Sequence, residues 1–525
     1  MQPHADYLSG SSESGVVLTN DLSIVILRYG RVGLQYGGGC MMAGFPSSKY
    51  TRRDFLARLG TAAAGLAVAP RVLGQEPETA RTNVLLITVD DMNFDSAGVT
   101  GCKIPGITPS IDKLAAQGMR FEHAHVTSAV CQPSRSVLMT GRYPHRNGAM
   151  GFEPIDPSVP TLQESLREAG YLNGIMAKVG HLAPQAKFCW DTVVGANDLG
   201  QGRDPALFYS HSKAFFEQAK AAGKPFFLMA NSQDPHRPFP GSDGEANRKA
   251  AGLPEVSRTY KPEEVPVPGF LPDGIPDIRV ELAQYFAGVH RCDEAVGQVL
   301  RALKEAGLEE NTIVFFLSDN GMSFPYAKTN CYRSSTATPM IVRWPGKIKP
   351  NTVNRHDFVS GIDFMPTVLD VFGMQMLEGM DGRSFLPLLK GKRQGGRDKV
   401  FTFFTETSAK NKYPMRCVRT EKFSYIFNAW ADGQTIFRNE PQSGLTFKAM
   451  QTAAEHDDAI AERVKFFLFR TKEEFYDLEA DPCEMENLIN AEEHKATIQK
   501  MRRELLEMMV STKDPLLEVF KKQAG

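Results

Sequence analysis

The chain has 525 residues, 42% hydrophobic and 23% charged, which excludes a disordered or collagen-like polymer and leaves room for two or three domains. With 60 Lys+Arg against 61 Asp+Glu, the net charge is −1. There is no global attraction for nucleic acid, so recognition of any anion must rest on a few placed cations.

No apolar run reaches the roughly 20 residues of a membrane-spanning helix, and the best candidate, residues 59–73, is short and rich in Ala and Gly. It follows Thr51-Arg52-Arg53-Asp54-Phe55-Leu56 and ends in small residues before Gln75. A basic segment, an apolar segment and a cleavage site in that order resemble a twin-arginine export signal, so the mature protein is expected outside the cytoplasm, in the periplasm or beyond. Such signals sit near the start, which makes Met41 or Met42 a better initiator than Met1. Loss of residues 1–74 removes 7 basic and 4 acidic side chains and leaves a mildly acidic protein.

Residues 83–89 form a β-branched and apolar run ending in Asp90-Asp91, as expected for a central strand of a parallel sheet. Helices are predicted over 109–117 and 161–169, a short strand over 174–177, and buried strands over 225–230 and 312–317, the last preceded by an amphipathic helix over 279–306. Strands alternating with helices argue for a layered α/β domain. The Pro- and Gly-rich stretch 237–277 is too long for an ordinary connection and reads as a substrate-cleft loop. A polar, glycine-rich linker at 386–396 introduces a smaller region, with antiparallel strands within 400–406 and 415–428 and a closing helix over 495–509. The expected division is a doubtful start plus signal (1–74), a catalytic domain (75–394) and a smaller C-terminal domain (395–525).

Of eight cysteines, Cys40 falls in the leader and Cys131 has a special setting. The other six allow fifteen pairings, and no bridge is predicted. No Cys or His spacing suggests zinc.

The chemistry gathers at strand ends. Asp90 and Asp91 end one buried strand, and Asp319 and Asn320, in Ser318-Asp319-Asn320-Gly321, end another. In an open α/β sheet, ligands bind at the carboxyl ends of the strands, so the two pairs are expected to converge. Three carboxylates and an amide oxygen make a hard, oxygen-only site for Ca²⁺ or Mg²⁺. Each pair alone would read equally well as helix capping.

Cys131-Gln132-Pro133-Ser134-Arg135, with Thr140-Gly141-Arg142 downstream, resembles the signature of the formylglycine-dependent sulfatases, and the resemblance runs from about residue 80 to 390. It implies an alkaline-phosphatase-like α/β fold, a large mixed sheet between helices with a smaller antiparallel sheet and closing helix after it. It further implies that a formylglycine-generating enzyme oxidises Cys131 to an aldehyde, whose hydrate carries two geminal hydroxyls. One attacks sulfur and the other later expels sulfate, which gives covalent catalysis a built-in second step. By the same resemblance Asp90, Asp91, Asp319, Asn320 and residue 131 hold the metal, Ca²⁺ in preference to Mg²⁺, and Arg135 holds the aldehyde hydrate. Lys178, His181, His236 and Lys328 form the sulfate cradle and supply the proton for the leaving group. One extra residue between Lys178 and His181 departs from the family's G-K-x-H segment.

The run Phe324-Pro325-Tyr326-Ala327-Lys328-Thr329-Asn330-Cys331-Tyr332, together with Asp234-Pro235-His236-Arg237, is similar to the N-sulfoglucosamine sulfohydrolases, the heparan N-sulfatases or sulfamidases. This implies a sulfated carbohydrate substrate, N-sulfoglucosamine by preference. The alternatives are an O-sulfatase on another sulfated glycan, a related phosphodiesterase or phosphonate hydrolase, and a non-catalytic glycan-binding relative.

Overall fold

A computed structural model describes the backbone of residues 31–36 and 39–44 and the chain over 81–249 and 253–524. Residues 51–74, where the export signal is expected, lie outside the described residues. Arg31–Tyr36 and Gly39–Gly44 pair as an antiparallel hairpin within a unit, residues 1–79, that is separate from the compact unit of residues 80–525. Among the described residues, no helix is long and apolar enough to cross a membrane.

The larger unit is built on an eight-stranded mixed sheet in the order Thr352–Asn354, Met119–Phe121, Met340–Arg343, Thr312–Ser318, Asn83–Val89, Phe226–Ser232, Leu172–Met176 and Thr192–Val194. The central strand Asn83–Val89 runs parallel to both neighbours and is buried on both faces, which explains its unbroken apolar sequence. Its side chains alternate. Leu85, Ile87 and Val89 join one core cluster with the long helix Pro276–Glu305, while Val84 and Leu86 join a second with Leu138, Leu166 and Leu369 from helices on the other face.

The predicted helices and buried strands appear within a few residues of their expected bounds. Thr161 begins the helix Leu162–Glu168 through a reciprocal cap with Glu164, the arrangement its sequence offers. The stretch 237–277 contains a helix, Asp243–Lys249, and a short 3₁₀ turn, Pro262–Glu264, and its first part does line a cleft.

A four-stranded antiparallel sheet follows, in the order Lys399–Glu406, Lys412–Thr420, Phe423–Asn428 and Glu473–Asp477. The run expected over 415–428 is thus a hairpin, turned at Glu421 and Lys422 where Thr420 Oγ1 accepts from Phe423 N at 3.0 Å. Helix Lys495–Ser511 closes one face through Ile498, Met501 and Leu505 against Phe403, Val418 and Phe475.

Candidate active site

Strand register brings distant residues together. Val89 pairs with Ser232 on one side and Ser318 on the other, so the residues after these three strands, Asp90, Gln233 and Asp319, emerge at one end of the sheet. Asp319 N donates to Val89 O at 3.0 Å and Met92 N to Ser318 Oγ at 2.9 Å, locking the two acidic pairs against each other. Asp91 turns away from strand geometry at φ +62°, an uncommon conformation for a residue with a Cβ. Gly321 is required because a Cβ there would collide with the Ser334 carbonyl oxygen.

Cys131 is the first residue of helix Cys131–Thr140, whose ten residues are all buried. Its sulfur and carboxylate oxygens of Asp91 and Asp319 lie within 4.8 Å of one another. Burial, reinforced by Asp319, pushes the Cys131 thiol well above its ordinary range. A thiol held neutral is a poor nucleophile.

Arg135 lies one turn further on, on the same helix face, and is fully buried. Its guanidinium donates to Thr88 Oγ1 at 2.5 Å, Asn231 Oδ1 at 2.6 Å, Asp319 Oδ2 at 2.9 Å and Asp90 Oδ1. Arg135 Nε is buried without a partner. Thr88 and Asn231 escape a reading of the sequence. Their one signal is a polar side chain near the end of an apolar strand.

Lys178, in a left-handed conformation at φ +53°, reaches Asp90 Oδ2 with Nζ. Burial alone would raise the Asp90 carboxyl, yet Lys178 and Arg135 beside it hold it well below the usual range. Asp319 behaves oppositely, pushed up to about 8 by burial and by the neighbouring Asp90. The buried Asn320 Oδ1 has no hydrogen-bond partner, while Asn320 Nδ2 donates to Asp91 Oδ1 at 2.7 Å. An orphaned oxygen among crowded carboxylates fits a hard divalent cation.

The structure also brings together the four residues expected in the cradle. Lys328 Nζ donates to Asp91 Oδ2 at 2.8 Å and to Glu440 Oε2 at 2.7 Å. Burial works against its charge, but Asp91 and Glu440 outweigh this and raise its pKa well above the ordinary value. His236 Nδ1 donates to Arg237 O at 2.6 Å, leaving Nε2 at 3.5 Å from Glu440 and 3.8 Å from Asp91. His181 ends a 3₁₀ turn, Val179–His181, that absorbs the extra residue. Burial, with Lys178 and Arg135 nearby, lowers its pKa to about 3, so this imidazole is neutral.

Sequence reasoning missed Glu440, which lies outside every motif in a 3₁₀ turn, Glu440–Ser443. It also missed the salt bridges that shape the cleft. Asp234 is held by Arg203 and Arg291, and Arg237 pairs with Glu281 at 2.6 Å while Glu281 accepts from Leu445 N and Thr446 N.

A buried cysteine at a helix start, carboxylate and amide oxygens that could hold a cation and buried lysines beside them suit a hydrolase of tetrahedral anions. The family model described as Sulfatase matches residues 82–374, and the chain belongs to this family of enzymes. A second model, N-sulphoglucosamine sulphohydrolase, C-terminal, matches residues 323–437. Human N-sulphoglucosamine sulphohydrolase is 29% identical over 465 residues, covering 82% of this chain and 91% of that protein. An ulvan-active sulfatase of Formosa agariphila is 27% identical over 474 residues, covering 81% and 74%. A solved structure described as in complex with its substrate D-glucosamine-2-N,6-O-disulfate superposes with a TM-score of 0.62 at 20% identity, over 83% of this chain and 99% of that one. The fold is the alkaline-phosphatase-like fold of the sulfatases, as the motifs implied.

Proposed function

We propose that this sulfatase removes sulfate from a sulfated carbohydrate, with N-sulfoglucosamine of heparan-type glycans as its preferred substrate. The observation that carries the substrate is the match of residues 323–437 to the N-sulphoglucosamine sulphohydrolase C-terminal model, since this stretch contains Lys328 and its flanking Phe-Pro and Thr-Asn residues. The similarity to an N-acetylglucosamine-6-O-sulfatase of Bacteroides thetaiotaomicron, 24% identical over 549 residues, supports O-sulfate hydrolysis as the second reading.

Residue 131 acts as the formylglycine hydrate, which supplies a hydroxyl nucleophile where the structure holds a thiol in its unreactive form. Asp90, Asp91, Asp319 and Asn320 would hold a divalent cation beside it, Ca²⁺ in preference to Mg²⁺, which would supply Lewis-acid activation of the attacking hydroxyl and of a sulfate oxygen. Arg135 fixes the carboxylates and keeps one unpaired donor, Nε–H, in this site. Lys178 and Lys328 neutralise the sulfate, and neutral His181 donates a hydrogen bond. Proton delivery to the leaving nitrogen or oxygen falls to His236, whose Nδ1 is tied to Arg237 O and whose Nε2 is left available. In this reading a formylglycine-generating enzyme matures the chain, and the twin-arginine segment exports it.

The test is sulfate release by the mature enzyme from N-sulfoglucosamine and from glucosamine 6-sulfate. Faster turnover of the N-sulfated sugar is expected. Release from the 6-sulfate alone retires the N-sulfatase reading in favour of the second.

A further inference from the structure

The cleft beside the cation site has a volume of about 680 Å³ and is lined by His236, Phe239, Gln284, Glu440, Ser443 and Lys448 among others, a size that suits a small ligand. A carboxylate at its inner end is unexpected in an enzyme whose every substrate is an anion. The Glu440 side chain is 26% exposed, and its Oε1 lies 3.5 Å from His236 Nε2. It is therefore at the edge of the reacting centre and still open to the cleft. Its pairing with Lys328 does not cancel it, because Lys328 is shared with Asp91. Burial would raise its pKa, but Lys328 and His236 hold it well below the usual carboxylate range. Arg237, the nearest other cation on this wall, is already engaged by Glu281. Lys448, on helix Leu445–Ala453, is exposed.

Glu440 is also placed by its own segment. Asn439 Nδ2 donates to Thr329 Oγ1 at 2.7 Å, and Gln442 Nε2 to Phe437 O at 2.7 Å. These bonds fix the turn against the Lys328 loop whatever side chain stands at 440.

Resting on the sulfated-sugar reading above, we propose that Glu440 is a specificity-determining residue that rejects sugars carrying a second sulfate beside the scissile one. An acceptor-only carboxylate receives hydrogen bonds from a free hydroxyl of the sugar and repels a sulfate at the same place. Selectivity comes from this repulsion and not from a weaker hold on the scissile group.

The experiment compares kcat/KM for N-sulfoglucosamine, glucosamine 6-sulfate and glucosamine N,6-disulfate in the wild type, Glu440→Gln and Glu440→Asp. The wild type is expected to favour a monosulfated sugar by about tenfold or more over the disulfated one. Glu440→Gln should bring the ratio near unity, mainly by lowering KM for the disulfated sugar, and Glu440→Asp should keep most of the preference. A ratio unchanged in Glu440→Gln while all rates fall together would show a structural clamp on Lys328 and overturn the proposal, as would a wild type that prefers the disulfated sugar. If only the 6-sulfate is hydrolysed, the N-sulfate reading fails, and the ratio of 6-sulfate to disulfate still decides the role of Glu440. Release from none of the three sugars overturns both.

Discussion

Arg135 shows how one side chain carries several burdens. It lies at zero exposure between Asp90 and Asp319 and is braced by Thr88 and Asn231. Removing a partner from a buried ionic cluster leaves uncompensated charge and costs about 3–5 kcal/mol. Arg135→Ala is expected to lose about that much in urea unfolding and to abolish sulfate release. Arg135→Lys should recover part of the stability and little activity, because an ammonium cannot reproduce the planar fork. An Arg135→Lys enzyme with full activity would contradict this. Residues at strand ends were legible because buried apolar runs stop at them, and those of the Cys-x-Pro-Ser-Arg segment because that segment resembles a family signature. Asn231 and Thr88 were not, since their role appears only when parallel register sets Thr88 beside Asn231, Oγ1 to Oδ1, at 2.6 Å. Glu440 belongs to a turn that nothing in the local pattern connects to Lys328.

Long-range capping decides how the elements dock. Helix Pro109–Ala116 has no side-chain cap from its own N-cap residue, Thr108. Asp293, in the middle of helix Pro276–Glu305, supplies it, accepting from Ser110 N at 3.0 Å and Ile111 N at 2.8 Å. Asp293→Ala is expected to cost about 1–2 kcal/mol, the range for loss of an N-cap, measured by thermal unfolding, with site residues untouched and kcat unchanged. A stability within about 0.3 kcal/mol of wild type would show that the cap contributes nothing. Periodicity revealed both helices but not their mutual cap, which needs the third dimension. The same limit hid the inner strands Met119–Phe121 and Met340–Arg343, each of three or four residues, too short for an alternating pattern. Helix Cys131–Thr140 was read for its motif and not for its fold, since Gln132, Ser134, Arg135 and Ser136 are buried along with its apolar residues and no solvent-facing stripe marks it.

Across the whole molecule, the C-terminal sheet is tied into the catalytic part. Arg470 donates to Asn330 Oδ1 at 2.8 Å, Glu474 accepts from Tyr332 at 2.7 Å, and Arg419 donates to Cys331 O at 3.0 Å. The composition change near 395 marks where the second sheet begins, yet these buried contacts lie within the single compact unit of residues 80–525. His145 belongs to the same seam, with Nε2 at 3.2 Å from Thr512 O and its side chain 3% exposed. Burial lowers its pKa to about 4. The unfolded chain takes up this proton near pH 6.5, whereas the folded one resists until about pH 4. Stability is therefore lost as pH falls between those values, with a contribution of about 3 kcal/mol. His145→Asn should flatten this part of the curve in urea unfolding between about pH 7 and 4; an unaltered slope would exclude His145 as its source. The near-neutral charge that opened the sequence also finds its explanation at this scale. On the proposed function, anion binding would depend on Arg135, Lys178, Lys328 and a divalent cation in the carboxylate cluster, and would need no basic surface.

The central claim is that residue 131 works as an aldehyde, and the most direct measurement is the mass of the peptide containing it, from protein made in its native host. A peptide in which a carbonyl oxygen has replaced the thiol of Cys131 is predicted. An unmodified cysteine in protein that releases sulfate would contradict the account.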